Sequence, residues 1–93
     1  MEYKKLRCYQ YKKYLKSISN SYFGLRYVFI FKNGYGASVV KNMFSYGNTR
    51  DLFELAVLKD GKICYETEIT DDVIGYLTNR QVLRILKRIK ELK

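Results

Sequence analysis

Apolar positions in residues 2–18 recur at helical spacing: Tyr11, Tyr14, Leu15 and Ile18 form one arc, with Tyr3 and Leu6 roughly in phase. Lys5, Lys12, Lys13 and Lys16 fall on the other side, so the pattern predicts a basic amphipathic N-terminal helix. The density of Tyr around Cys8 to Tyr11 leaves a strand open as an alternative there, because aromatic residues suit a pleated, half-buried surface. Ser17, Ser19, Asn20 and Ser21 then break the pattern. Leu25 to Lys32 reads as a strand with Tyr27, Phe29 and Phe31 on one face and Val28 and Ile30 on the other. Apolar residues on both faces predict cover on both sides. Asn33-Gly34 supplies the positive-φ residues of a tight hairpin, and Tyr35 to Lys41 returns as the second strand. A loop runs through Ser45, Gly47 and Asn48. Leu52 to Leu58 is a third strand, Asp60-Gly61 a second hairpin turn, and Ile63 to Thr67 a fourth strand. Ile69 to Tyr76 reads as a linker with a short helical turn.

Thr78-x-x-Gln81 is a capping box, in which the Thr hydroxyl and the Gln side chain each satisfy an orphan N–H group. In the helix it opens, Val82, Ile85, Leu86, Ile89 and Leu92 form one apolar stripe, with Arg80, Arg84, Lys87 and Arg88 on the opposite side. The predicted architecture is α+β: a four-stranded antiparallel β-meander, a C-terminal amphipathic helix packed on one face, and the basic N-terminal helix beside it. Residues 1–93 form a single small domain, and 47% hydrophobic content excludes a chain that stays open.

Charge changes the picture more than composition does. The net charge is +9, but residues 1–50 hold ten Lys+Arg against one acid, residues 51–79 two against seven, and residues 80–93 six against one. Two basic helices would thus flank an acidic hairpin and linker. Segregation of this kind creates a directed field, and Lys and Arg interleaved with Tyr suit nucleic acid, where cations neutralise phosphates and rings stack on exposed bases. The alternative is an ordinary solvated surface, although +9 exceeds the roughly 2–8 usual for a small domain. The candidate contacts are Tyr9, Lys12, Lys13 and Lys16 at one end of the chain and Arg80, Arg84, Lys87 and Arg88 at the other. Tyr11 and Tyr14 read as core residues with hydroxyls reaching water, or as part of the same contact surface.

The sequence has no His, so the commonest general base and metal ligand is missing and no Ser-His or Cys-His pair can be built. Cys8 and Cys64 are far apart with no CxxC, which makes neither a zinc site nor a disulfide framework. Gly34-Tyr35-Gly36 lacks the third glycine of a dinucleotide fingerprint and opens a strand, not a helix. Adjacent Asp71 and Asp72 read as turn or cap residues, and Glu66 and Glu68 as one solvated strand face. The expectation is a non-enzymatic protein with no catalytic residues, metal or cofactor. With no apolar run long enough to span a bilayer and no signal-peptide pattern over Met1 to Lys16, it is expected to work in the cytoplasm without a membrane.

The motifs NGYGASVV, LFELAVLKDG and ITDDVIGYLT, within Phe29 to Thr78, resemble small proteins encoded by phages and prophages of low-GC bacteria. They mark hairpins, strands and the connector into the last helix, and carry no catalytic residues to transfer. The resemblance implies a phage accessory protein in the host bacterial cytoplasm, of a kind that inhibits host defence or host nucleic-acid machinery. The basic helix after Asn79 departs from relatives whose terminal helix is more acidic, so partners do not carry over freely. The expected function is inhibition of a host nucleic-acid enzyme or nucleoprotein complex by docking of a basic surface, with an RNA-guided CRISPR-Cas nuclease as the sharpest target. Direct DNA or RNA binding, and self-assembly into a homo-oligomer, are the two alternatives.

Overall fold

A computed structural model describes residues 3–21, 24–70 and 72–93. The N-terminal segment enters a six-residue 3₁₀ helix, Tyr9–Tyr14, and continues directly into strand β1, Leu15–Ser21. Strands β2 (Gly24–Ile30), β3 (Tyr35–Asn42) and β4 (Phe53–Lys59) follow, then the short β5 (Lys62–Ile63) and β6 (Ile74–Leu77), and helix α1 (Asn79–Lys90). β1 to β4 lie side by side in sequence order, each antiparallel to the next, and β5 and β6 share the outer edge of β4. The α+β class and the terminal helix agree with the sequence pattern.

Three expectations need correcting. The N-terminal amphipathic helix is replaced by the 3₁₀ segment and β1, while its first position, Glu2, lies outside the described residues. The expected four-stranded meander is a sheet of six strands, because Leu15–Ser21 pairs as β1 where the pattern predicts a helix end and a break, and Ile74–Leu77 as β6 where it predicts a linker. The expected strand Ile63 to Thr67 shrinks to β5, so Glu66 and Glu68 are exposed but belong to no strand. Thr67 and Thr70 fold the chain after it into a side-chain-bonded turn. Asp72 Oδ1 then accepts from Val73 N at 2.7 Å, and Asp71 lies outside the described residues.

The two hairpins differ. Asp60 and Gly61 both have positive φ between paired Lys59 and Lys62, as a two-residue type I′ turn requires. At the other, Gly34 N donates to Phe31 O, and Gly34 at φ +88 carries the left-handed position alone. Asn33 is therefore free for a different task. Its Nδ2 donates to the carbonyls of Ile89, Lys90 and Leu92, closing the last turn of α1.

One face of the sheet carries the core. Tyr27, Val39 and Leu55 stand in register across β2 to β4, as do Phe29, Ala37 and Val57. Val82, Leu86 and Ile89 of α1 are fully buried against them. Each such side chain contributes about 1.5–3 kcal/mol relative to exposure. The capping box forms as the sequence predicts: Thr78 Oγ1 accepts from Gln81 N and Gln81 Oε1 from Thr78 N. Tyr11 and Tyr14 complete this core edge-on to Phe31, at 6.4 and 5.0 Å between ring centroids.

Candidate functional site

The N-terminal segment is short and strongly basic, and three sets of hydrogen bonds fix where its charges lie. Lys4 N donates to Asp51 Oδ1 (3.1 Å), and Lys4 O accepts from Lys41 Nζ (2.9 Å). Leu6 N donates to the Tyr27 hydroxyl. Arg7 and Asn79 exchange two bonds, Arg7 N to Asn79 Oδ1 at 2.7 Å and Asn79 Nδ2 to Arg7 O at 2.9 Å. Lys4, Lys5 and Arg7 are thereby drawn across the amino end of α1. The β3–β4 loop brings Arg50 to the same place through a 3₁₀ turn, Asn48–Arg50.

The result is a cleft of about 550 Å³ walled by Lys4, Lys5, Arg7, Arg50 and one acid, Asp51, with Thr78 and Asn79 at its helical end. Lys41 also borders it, but its ammonium is neutralised by Asp51 Oδ1 at 3.0 Å and lies 3.8 Å from the centre of the Phe53 ring. That is the one ion pair among the described residues. Partial burial pushes the Asp51 carboxyl up. The hydrogen bonds from Lys41 and from Lys4 N, with the charges of both lysines, outweigh it and hold the group below its ordinary value. Among the described residues Lys5, Arg7 and Arg50 make no ion pair, Lys4 acts on Asp51 only beside Lys41, and the partial positive charge of the α1 amino terminus adds to theirs. Chemically, the cleft can bind anions.

The sequence-predicted contacts divide into groups. Tyr9, 88% exposed, meets Arg80 in a shallow hollow shared with Arg7 and Asn79, adjoining the cleft. Lys12 stands at the rim of an apolar cleft of about 310 Å³ floored by Leu6, Leu15, Ile18, Leu25 and Tyr27. Cys8 lines the same cleft, and burial raises its thiol, which favours the unreactive protonated form. Lys13 and Lys90 lie 5.1 and 5.3 Å from the Tyr14 ring centroid. Desolvation would raise the Tyr14 phenol, but the two lysines draw it below its ordinary value. Lys16 is exposed on the edge strand β1. Lys12, Lys13 and Lys16 therefore form no single helical ridge. Arg84, Lys87 and Arg88 are exposed on α1.

Lys4, Lys5 and Arg7 belong to the Lys- and Tyr-rich stretch that the sequence offers as a contact surface but are not among the contacts singled out there, and Arg50 is not marked at all. The Lys4-Lys5-x-Arg7 run was a visible signal. Arg50 gave none, because only the pairing of β3 with β4 carries it to the cleft. No helix among the described residues is long and apolar enough to cross a membrane. Comparison with protein-family models, with curated proteins and with solved structures finds no match to this chain, so the functional reading rests on the geometry above.

Proposed function

We propose that this chain is a non-enzymatic cytoplasmic protein that binds nucleic acid by its phosphate backbone, and that it acts by occupying that surface. The observation that carries this reading is the convergence of Lys4, Lys5, Arg7 and Arg50 on the amino end of α1, with Arg80 and exposed Tyr9 in the adjoining hollow. Four cations gathered from the N-terminus and a distant loop around one carboxylate, Asp51, which Lys41 already pairs, fit a polyanion better than a solvated surface. In the phage setting that the NGYGASVV and ITDDVIGYLT motifs resemble, such a protein would cover nucleic acid held by a host enzyme. An RNA-guided defence nuclease is the leading target, and inhibition would need no chemistry.

The test is binding of labelled oligonucleotides by nuclease-treated protein from low to high salt. Affinity that falls steeply with salt, and is lost in an Arg7→Glu, Arg50→Glu double variant that still folds, is the expected result. Binding unchanged by that double reversal would remove the cleft from the function.

A further inference from the structure

Beside the cleft stands a surface of opposite character. The β3–β4 loop exposes Met43, Phe44 and Tyr46, and β6 exposes Tyr76, each by more than half. Two features show that the chain at Tyr46 and at Tyr76 is built against itself while both rings stay exposed. Tyr76 N donates to Tyr46 O, and a Cβ at Gly75 would strike Tyr46 Cβ, so the β6 backbone is shaped around Tyr46. Tyr76 itself has φ +58, a left-handed conformation that a bulky residue rarely adopts and a glycine would adopt without cost. Strain retained at an exposed aromatic residue points to a role for the ring.

Chain geometry fixes the distance to the cations. Tyr76 is two residues before Thr78 and Tyr46 four before Arg50, and both of those later residues line the cleft. Two residues span at most about 7 Å. The rings therefore stand on chain segments that adjoin the cleft wall.

We infer that the ligand is single-stranded nucleic acid, whose unstacked bases stack on Tyr46 and Tyr76 while its phosphates lie among Lys4, Lys5, Arg7 and Arg50. The inference rests on the phosphate-binding reading of the cleft. A duplex satisfies the cations equally but keeps its bases stacked on one another, so it gains nothing from the rings.

The experiment measures fluorescence anisotropy with DNA and RNA of one mixed sequence, about 12 nucleotides long, each single-stranded and annealed to its complement. Each ring being worth about tenfold, wild-type protein should bind a single strand about a hundredfold more tightly than its duplex. Tyr46→Ser and Tyr76→Gly should each remove about tenfold for single strands and leave duplex binding unchanged. Tyr76→Gly should melt no lower than wild type, because it relieves the backbone, and this separates a binding role from a structural one. If Tyr76→Gly fails to fold, Tyr46→Ser alone decides the question. Equal affinity for single strand and duplex, or full single-strand affinity in the ring variants, would overturn the inference while the Arg7/Arg50 reversal still abolishes binding. Absence of binding to every probe would instead overturn the reading of the cleft.

Discussion

Lys41 is the residue whose chemistry departs furthest from its place in the pattern. It sits in β3 on the core-facing side and is 1% exposed. It is tolerated because every interaction a buried ammonium needs is supplied: Asp51 Oδ1, Lys4 O and the Phe53 ring. The same carboxylate oxygen takes Lys4 N, so this pair also holds the basic N-terminal segment over the cleft. Asp51→Asn keeps a residue that accepts the local φ of +58 but strands the ammonium. Breaking a buried pair costs about 3–5 kcal/mol; with the Asp51 side chain 35% exposed, about 2 kcal/mol is expected here. Lys41→Met, which removes the buried charge itself, should cost less, and urea denaturation of the two variants checks the order. The pH dependence has a fixed sign. Because the folded-state carboxyl lies below its ordinary value of roughly 3.9, its contribution is complete above that pH and is lost as pH falls through the folded value. Melting temperatures of wild type and Asp51→Asn should therefore converge in acid.

At the scale of elements, α1 is held at both ends by asparagines from other parts of the chain. Asn79 meets Arg7 at the first turn, and Asn33 reaches three carbonyls at the last. Asn33→Ala should cost about 1–2 kcal/mol, because Lys90 O and Leu92 O lose the Asn33 amide and Ile89 O keeps only backbone donors such as Leu92 N. Asn33→Asp should be worse. It preserves an acceptor for Tyr35 N but turns a carboxylate toward the negative end of the helix. Chemical denaturation of both variants tests that order, which a pure turn role for Asn33 would reverse, since Asp suits turns better than Ala. The turn was legible in the sequence as Asn33-Gly34, but the cap was not, since only the tertiary fold brings residue 33 to residue 89. The terminal helix was fully legible because its stripe and its capping box agree. β1 was not. It is an edge strand with Ser17, Ser19 and Asn20 exposed, so it lacks the apolar alternation that identifies a half-buried strand. Tyr11 and Tyr14 misled for a related reason. A 3₁₀ turn also brings positions three apart to one face, so the start of a helical period appears without the helix.

For the whole molecule, the segregated charge read from the sequence matters only where the fold concentrates it. The N-terminal predicted ridge is dispersed, with Lys12 at an apolar cleft, Lys13 beside Tyr14 and Lys16 on an edge, while Arg84, Lys87 and Arg88 stay together on α1 away from the cleft lining. The cleft instead draws on residues 4–7 and 50. Reversing Arg7 and Arg50 should therefore weaken nucleic-acid binding more than reversing either Lys12, Lys13 and Lys16 or Arg84, Lys87 and Arg88, although the pair removes fewer cations. Four free cations correspond to a log–log salt slope of about −3 on a single strand, and each cation lost should lower its magnitude by about 0.7. The protein's own charge adds a second constraint. The sequence has no His, the Asp51 carboxyl at the cleft is held low, and the displaced Tyr14 phenol lies at the opposite end of α1, so these groups supply no charge change at the cleft between about pH 5.5 and 7. Affinity at constant ionic strength should accordingly be flat across that interval. A change of more than about twofold there would mean that a titrating group outside this cleft controls binding.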